Sequence, residues 1–448
     1  MSFSYNRYSY FHDKNILTTE YDFSMTFHGE LISIKHTDKF IVPEKFSNNV
    51  ADDFLLDKLV FNLGMVESIS YWKATCSKTY TLKCHSLTKE QSLWWKNLFY
   101  YGLGEFRYKN NIHTEKDDFI EFEFDQNAFT PEKTNNTQAS TSTVPINQNH
   151  IIVPVGGGKD SIVTMEELRQ KHTIIPFVIN INRPISECIA AAGISMEDTI
   201  VVERKLDKKI LEMNNLGALN GHTPFSAMVA FATLIAAELT NVSKIALSNE
   251  LSANESTVVN NAHDIINHQY SKSFKFEKDF RYYYQTFISD KYNYFSYLRN
   301  IPEIRIAEKF SQYKKYHTIF RSCNVGSKNG NVWCGNCPKC LFVYTMLLPF
   351  LTETELIDIF GSNLLLNNEL KDTLFQLTGI YETKPFECVG TIDETRSAIS
   401  KYLENNKPMG ILKDYVEAMD ESVLQMDRIN FHTLMTMNNT DNFIPEDL

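Results

Sequence analysis

No apolar stretch in this 448-residue sequence is long enough to cross a bilayer. The longest runs, Ala227–Leu239 and Leu341–Leu351, read as helices buried in a core. Met1–Thr19 alternates polar and aromatic residues and lacks the apolar centre of a secretory leader, so a cytoplasmic location is expected. Positive charge is also scarce. Lysine and arginine number 44 against 55 acidic residues, a net charge of −11, which argues against a nucleic-acid partner held on a basic face. No internal repeat is evident. Of the eight cysteines, Cys76, Cys84, Cys188 and Cys388 are scattered and suit small buried positions, whereas Cys323, Cys334, Cys337 and Cys340 crowd together.

A hydrophobic content of 43% supports two or three cores. Residues 1–125 mix aromatic-rich strands with helix, the pattern of an α+β domain. Ile120, Phe122 and Phe124 alternate with acidic residues as a half-buried strand does, while Trp94, Trp95, Leu98 and Phe99 follow helical spacing. Gln126–Asn149 has no apolar periodicity and reads as a linker. Over 150–350 the pattern becomes regular β-α alternation, with strands expected at Ile151–Val155, Ile174–Ile181, Thr199–Val202 and Ile245–Ser248, and a fifth at His317–Arg321. Asn182, Pro184 and Gly193 mark the start and stop of one intervening helix. Such alternation implies an α/β fold, a doubly wound parallel sheet whose ligands lie outside the carboxyl ends of the strands. Residues 351–448 read as mostly helical, with a Thr352/Glu355 capping box and Gly361 as a stop.

The densest chemical signal is the turn Gly156-Gly157-Gly158-Lys159-Asp160-Ser161. Three glycines between a buried strand and a helix allow close backbone approach, and the helix N-terminus attracts phosphate. Lys159 adds charge, Asp160 suits Mg²⁺ held between phosphate oxygens, and Ser161 donates a hydrogen bond. A Walker loop would need Ser or Thr at Asp160 and glycine at Val153, and a dinucleotide fingerprint would need glycine at Ser161. The segment resembles the Ser-Gly-Gly-x-Asp-Ser loop of the PP-loop ATP pyrophosphatases, departing only where Gly156 replaces serine. That resemblance implies ATP cleaved to AMP and pyrophosphate.

Cys323, Cys334, Cys337 and Cys340 supply the four thiolates of a closed tetrahedral site. Structural Zn²⁺ is the preferred ligand and an iron–sulfur cluster the rival. A similar block occurs in the 7-cyano-7-deazaguanine synthases, which are PP-loop enzymes.

Polar segments at Asn220–Pro224, Ser248–Glu250 and Asn267–Ser273 fall where such a sheet gathers its ligand. Together with Lys384–Thr391 they resemble the UDP-N-acetylmuramoyl-L-alanyl-L-glutamate epimerases. The resemblance implies that ATP adenylates the terminal glutamate of a UDP-MurNAc-dipeptide, after which a base removes the α-proton and an acid returns it on the other face. Asp160, His222, Glu250, His268 and Cys388 are the candidate catalytic residues. Lys272, Arg299, Arg305 and Arg321 read as surface charges. Two other readings stand beside this one: nucleobase or tRNA modification, and a zinc-stabilised binding module without activity.

Overall fold

Alternating apolar and polar residues at the start of the chain form three long strands, β1 (Phe3–Asp13), β2 (Ile16–Phe27) and β3 (Glu30–Ile41), paired antiparallel in sequence order. The structure, a computed structural model, describes residues 1–49, 51–125, 149–259, 265–328 and 332–448. The inward faces of β1 and β2 carry Phe3, Tyr5, Leu17, Tyr21, Phe23 and Met25, all buried. Across them lies the helix Asp53–Trp72, started by Asp52, whose carboxylate accepts from the Phe54 and Leu55 amides. β4 (Thr79–Leu82) and β5 (Glu121–Phe124) continue the sheet in parallel beyond β1. The tryptophan-bearing segment is helical over Lys89–Gly102, with Trp95 completely buried. The expected linker lies, apart from Asn149, outside the described residues.

The second half supplies β6 (His150–Pro154), β7 (Thr173–Ile179), β8 (Ile200–Lys205), β9 (Lys244–Leu247) and β12 (Asn293–Ser296). A separate pair, β10 (Val258–Val259) and β11 (Ile265–Ile266), forms a small hairpin ladder. β8 pairs antiparallel with β3, so both halves share one ten-stranded sheet in the order β12-β9-β6-β7-β8-β3-β2-β1-β4-β5. The order reverses between β6 and β9, whose carboxyl ends therefore border a crevice suited to a ligand.

The fifth strand of the parallel part is β12, and the sequence placed it wrongly. His317–Arg321 follows a short 3-10 turn, and the Arg321 amide bonds Gly157 O at 2.8 Å instead of joining a ladder. β12 is only four residues of an aromatic-rich run, and its strand character comes from pairing with β9.

Helix boundaries were better marked. The Asn182 side chain caps Arg183–Ala191, and Gly193 follows with φ +73°. Thr352 and Glu355 form the reciprocal capping box of Glu353–Phe360, closed by Gly361 at φ +83°. The two long apolar runs form the helices Phe225–Thr240 and Pro338–Leu347. Among the described residues no helix is long and apolar enough to cross a membrane. Beyond Phe350 the chain is helical over Lys371–Leu377, Ile392–Leu403, Ile411–Ala418 and Glu421–Thr436 as well.

Candidate active site

β6 delivers the glycine turn to the crevice, and the helix Lys159–Leu168 leads away from it. Gly157 has φ +78°, a conformation that favours glycine. A Cβ on Gly158 would lie 3.3 Å from Ser322 Cβ, so the turn packs tightly beneath the 321–322 segment. No side chain caps the helix, which leaves its first-turn amides available to an anion. Around the crevice, Ser248 Oγ, Glu303 Oε2, Arg321 Nε and Ser322 Oγ are buried without a hydrogen-bond partner among the described residues. Buried polar atoms normally have partners, so this concentration suits a polar ligand.

Lys159 is 2% exposed and pairs with both Asp160 and Glu303. Burial opposes its charge, and Asp160 and Glu303 more than offset that, so Lys159 stays charged. Burial likewise opposes the charge on Asp160, which Lys159, Lys339 and Lys272 nevertheless hold below its ordinary range. Glu303 shows the opposite outcome. Burial pushes it up to about 8 despite Lys159, so it carries a proton at neutral pH. Ser161 donates to Gly158 O at 3.0 Å and closes the turn on itself.

A second group of residues surrounds Cys388. Its thiol lies within electrostatic reach of the Lys272 ammonium and the His268 ring, and Lys339 donates to its backbone oxygen. Burial would raise the thiol, but Lys272, His268 and Lys339 bring it down to about 7. His268 donates from Nδ1 to Glu105, and burial notwithstanding, its bonds to Cys388 and Glu105 raise it to about 9. His222 lies against His268 with ring centroids 4.4 Å apart, and burial followed by the charge on His268 depresses it to about 3. Lys73 fixes the loop beneath it, donating to Gly221 O at 2.5 Å and to Thr223 Oγ1 at 2.9 Å. Lys272 joins the two groups, because Cys388, Glu250 and Asp160 all attract its ammonium.

All five candidate catalytic residues therefore belong to one neighbourhood. The charges around them were less legible. Lys272 is half-buried in the site, and Arg299 is fully buried, so neither is a surface charge. Arg299 pairs with Glu277 at 3.1 Å and donates to Glu250 O at 2.6 Å, which fixes the backbone after β9. Arg305 reaches Met437 O and Asn438, while Arg321 bonds the backbone of its own loop. Sequence reasoning missed Glu105 and Glu303, whose segments carry no local chemical signature. Lys339 had a usable signal, since it sits between two clustered cysteines.

The four cysteines converge with Sγ separations of 3.6 Å for Cys323–Cys337, 3.7 Å for Cys334–Cys340 and 3.5 Å for Cys337–Cys340. Sulfurs 2.3 Å from one tetrahedral ion lie about 3.8 Å apart, so these distances fit a single metal. A multi-iron cluster places its thiolates on different irons and spreads them wider. The Gly326 amide donates to Cys323 Sγ at 3.1 Å, and Gly335 turns the Cys334–Cys337 segment with φ +68°. Among the described residues, two other groups have ligand-type side chains within 4.8 Å of one another. In Glu105/His222/His268, Lys109 already pairs with Glu105, and in His36/Asp38/Glu67, Arg204 pairs with Glu67 at 2.5 Å. Both already hold a cation.

A hollow of about 470 Å³ lined by Lys45, Arg169, Thr173 and Asp198 lies elsewhere, at the amino end of β7. Parallel sheets do not bind ligands at that end, and Lys45 and Asp198 neutralise each other there.

The molecule is thus a mixed α/β protein with a helical C-terminal region and a charged crevice at the carboxyl edge of its parallel strands. Sequence models of the MurL N-terminal and C-terminal domains match residues 1–297 and 319–429. The UDP-N-acetyl-alpha-D-muramoyl-L-alanyl-L-glutamate epimerase of Xanthomonas oryzae pv. oryzae is 30% identical over 82% of this chain and 80% of its own length. A Micromonospora protein of the same name is 30% identical with the same coverage, and one from Salinispora tropica is 35% identical over 55% of the chain and 54% of its own. The chain belongs to the MurL epimerase family. No solved structure matches it.

Proposed function

We propose that this protein epimerises the terminal L-glutamate of UDP-MurNAc-L-Ala-L-Glu to D-glutamate, consuming ATP and releasing AMP and pyrophosphate. The observation that carries the reading is that Lys272 lies near enough to both Asp160 in the glycine turn and Cys388 for its charge to act on each, which places the two groups in one crevice. One end of the crevice suits activation of a carboxylate, and the other suits proton transfer at the adjacent carbon.

Each half needs the other. A free carboxylate resists loss of its α-proton, because the product would hold adjacent negative charges. Adenylation makes it an acyl group able to take the electron pair as an enolate. In this reading the turn is a PP-loop in a doubly wound sheet of that superfamily, with Gly156, Gly157, Gly158, Lys159 and Ser161 around the phosphates and Asp160 on Mg²⁺. The Cys388 thiolate takes the α-proton, and the C–H electron pair moves onto the acyl oxygen. An acid on the other face returns a proton to carbon, and water then releases AMP. Glu250 and His222 line this part of the site. Cys323, Cys334, Cys337 and Cys340 hold a structural Zn²⁺, since four protein thiolates leave no open position. A cytoplasmic location agrees with ATP and a UDP-linked substrate.

The test is incubation with ATP, Mg²⁺ and UDP-MurNAc-L-Ala-L-Glu in deuterated water. AMP release with deuterium at the glutamate α-carbon is expected, and AMP release without exchange would refute epimerisation. AMP formed only with a deazaguanine acid and ammonia would select nucleobase modification instead. Asp160→Ala should abolish AMP formation while circular dichroism stays unchanged; retained activity would remove the turn from the nucleotide site.

A further inference from the structure

Cys388 acts as a base only if its proton is already gone, and the groups around it determine whether that holds. The loop carrying Cys388 comes from the C-terminal region and is held by several unrelated contacts. Lys384 bonds Glu255 and Gly390 O, Gln269 donates to Val389 O at 3.0 Å, and Asn324 donates to Glu387 at 3.1 Å. Cys388 itself is half-buried.

His268 is the group whose charge is in doubt, because burial favours the neutral ring. The helix Gly104–Lys109 brings Glu105 and Lys109 against it, and the loop before Phe225–Thr240 brings His222. The C-terminal loop contributes Cys388 and Glu387, Lys272 and Lys339 face the thiol, and Lys73 stands behind His222. Among these, Glu105 is the carboxylate hydrogen-bonded to the ring, and it is 5% exposed. Hydrogen bonds from His268 and Lys109 outweigh burial and hold Glu105 down to about 2, so it stays ionised throughout the working range. Its position is also constrained. Gly104 admits no larger residue freely, since a Cβ there would lie 3.2 Å from Ile266.

We propose that Glu105 is a positioning residue: its carboxylate orients His268 and keeps it cationic against Cys388, so that the thiolate faces the substrate carbon. Three distant parts of the chain thereby form one carboxylate–imidazolium–thiolate relay. The identity of that carbon rests on the epimerase reading, whereas the role of Glu105 rests on its hydrogen bond to His268 and on Lys109 and His222 packed beside it.

Two readouts on the full-length protein separate these layers. The first needs no substrate: the pH midpoint for alkylation of Cys388 by iodoacetamide, followed by mass spectrometry of its peptide. The unsubstituted protein should show a midpoint at about 7. Glu105→Gln should raise it by about one pH unit, the scale of losing one nearby opposite charge, and Glu105→Asp should bring it back towards the original value. The second readout is the ratio of α-proton exchange to AMP release. Glu105→Gln should lose exchange about fivefold at pH 7, regain it as pH rises by the same unit, and still form AMP. A Glu105→Gln protein that is folded yet keeps its alkylation midpoint would overturn the proposal. So would an exchange profile lowered equally at every pH, which marks a merely structural loss. A shifted midpoint in a protein whose unsubstituted form never exchanges the proton would sustain the relay and refute the epimerase reading.

Discussion

Replacing Lys159 with methionine should separate what this residue does for folding from what it does for a ligand. The ammonium is 2% exposed and lies between Asp160 and Glu303, which is itself 2% exposed. Removing one member of a buried ion pair costs about 3–5 kcal/mol, because the remaining charge stays unsolvated. Glu303 moderates that cost. Its carboxyl, at about 8 in the folded protein against about 4.3 in an unfolded chain, is already neutral at pH 6.5. At that pH the loss reflects Asp160 alone and should fall near the lower end of the range. A carboxyl whose folded pKa is raised is destabilising to an extent that grows with pH until the folded value is passed. Without Lys159 that value moves higher still, so the deficit of the variant should be flat below about 8 and widen by about 1–2 kcal/mol at pH 9.5. Urea unfolding followed by circular dichroism at pH 6.5 and 9.5 measures this directly. The double variant Lys159→Met/Glu303→Leu should lose the pH dependence and recover part of the stability, while AMP formation stays absent. A deficit equal at the two pH values, or below about 1 kcal/mol at both, would refute the electrostatic account.

Arg299→Met should also destabilise the protein by about 3–5 kcal/mol, since Glu277, 1% exposed, loses its partner; Arg299→Met/Glu277→Leu should recover most of the urea midpoint. An unshifted midpoint in the single variant would argue against a buried charge pair. For the cysteine cluster, elemental analysis should find one zinc per chain, and Cys334→Ser should lose it. Iron with visible absorption would overturn zinc. Gly326→Ala should weaken metal retention as well, because a Cβ there would lie 1.6 Å from Val332 O and displace the segment that carries Cys323.

The sequence by itself determined the features whose cause is local. A glycine run between a strand and a helix has few uses other than close approach, so the turn at 156–158 could be recognised without its surroundings. The Asn182 cap, the Thr352/Glu355 box and the Gly361 stop were legible for the same reason, since each acts within one helical turn. Four cysteines at short spacing suggested that their side chains would gather, and their sulfurs do converge. Tertiary structure decided everything that depends on non-local pairing. β12 became a strand because β9 offered an edge to a short segment, whereas 317–321 had none. The N-terminal half joined the parallel strands through the β3–β8 ladder, which no periodicity in either segment encodes. The same distinction applies within the site. Residue type made Cys388, His268 and Asp160 candidates, but the charge each carries is set by neighbours brought from elsewhere in the chain. Electrostatic interaction falls with distance through space and takes no account of separation along the sequence, so Glu105, Lys272 and Glu303 acquired their roles only on folding.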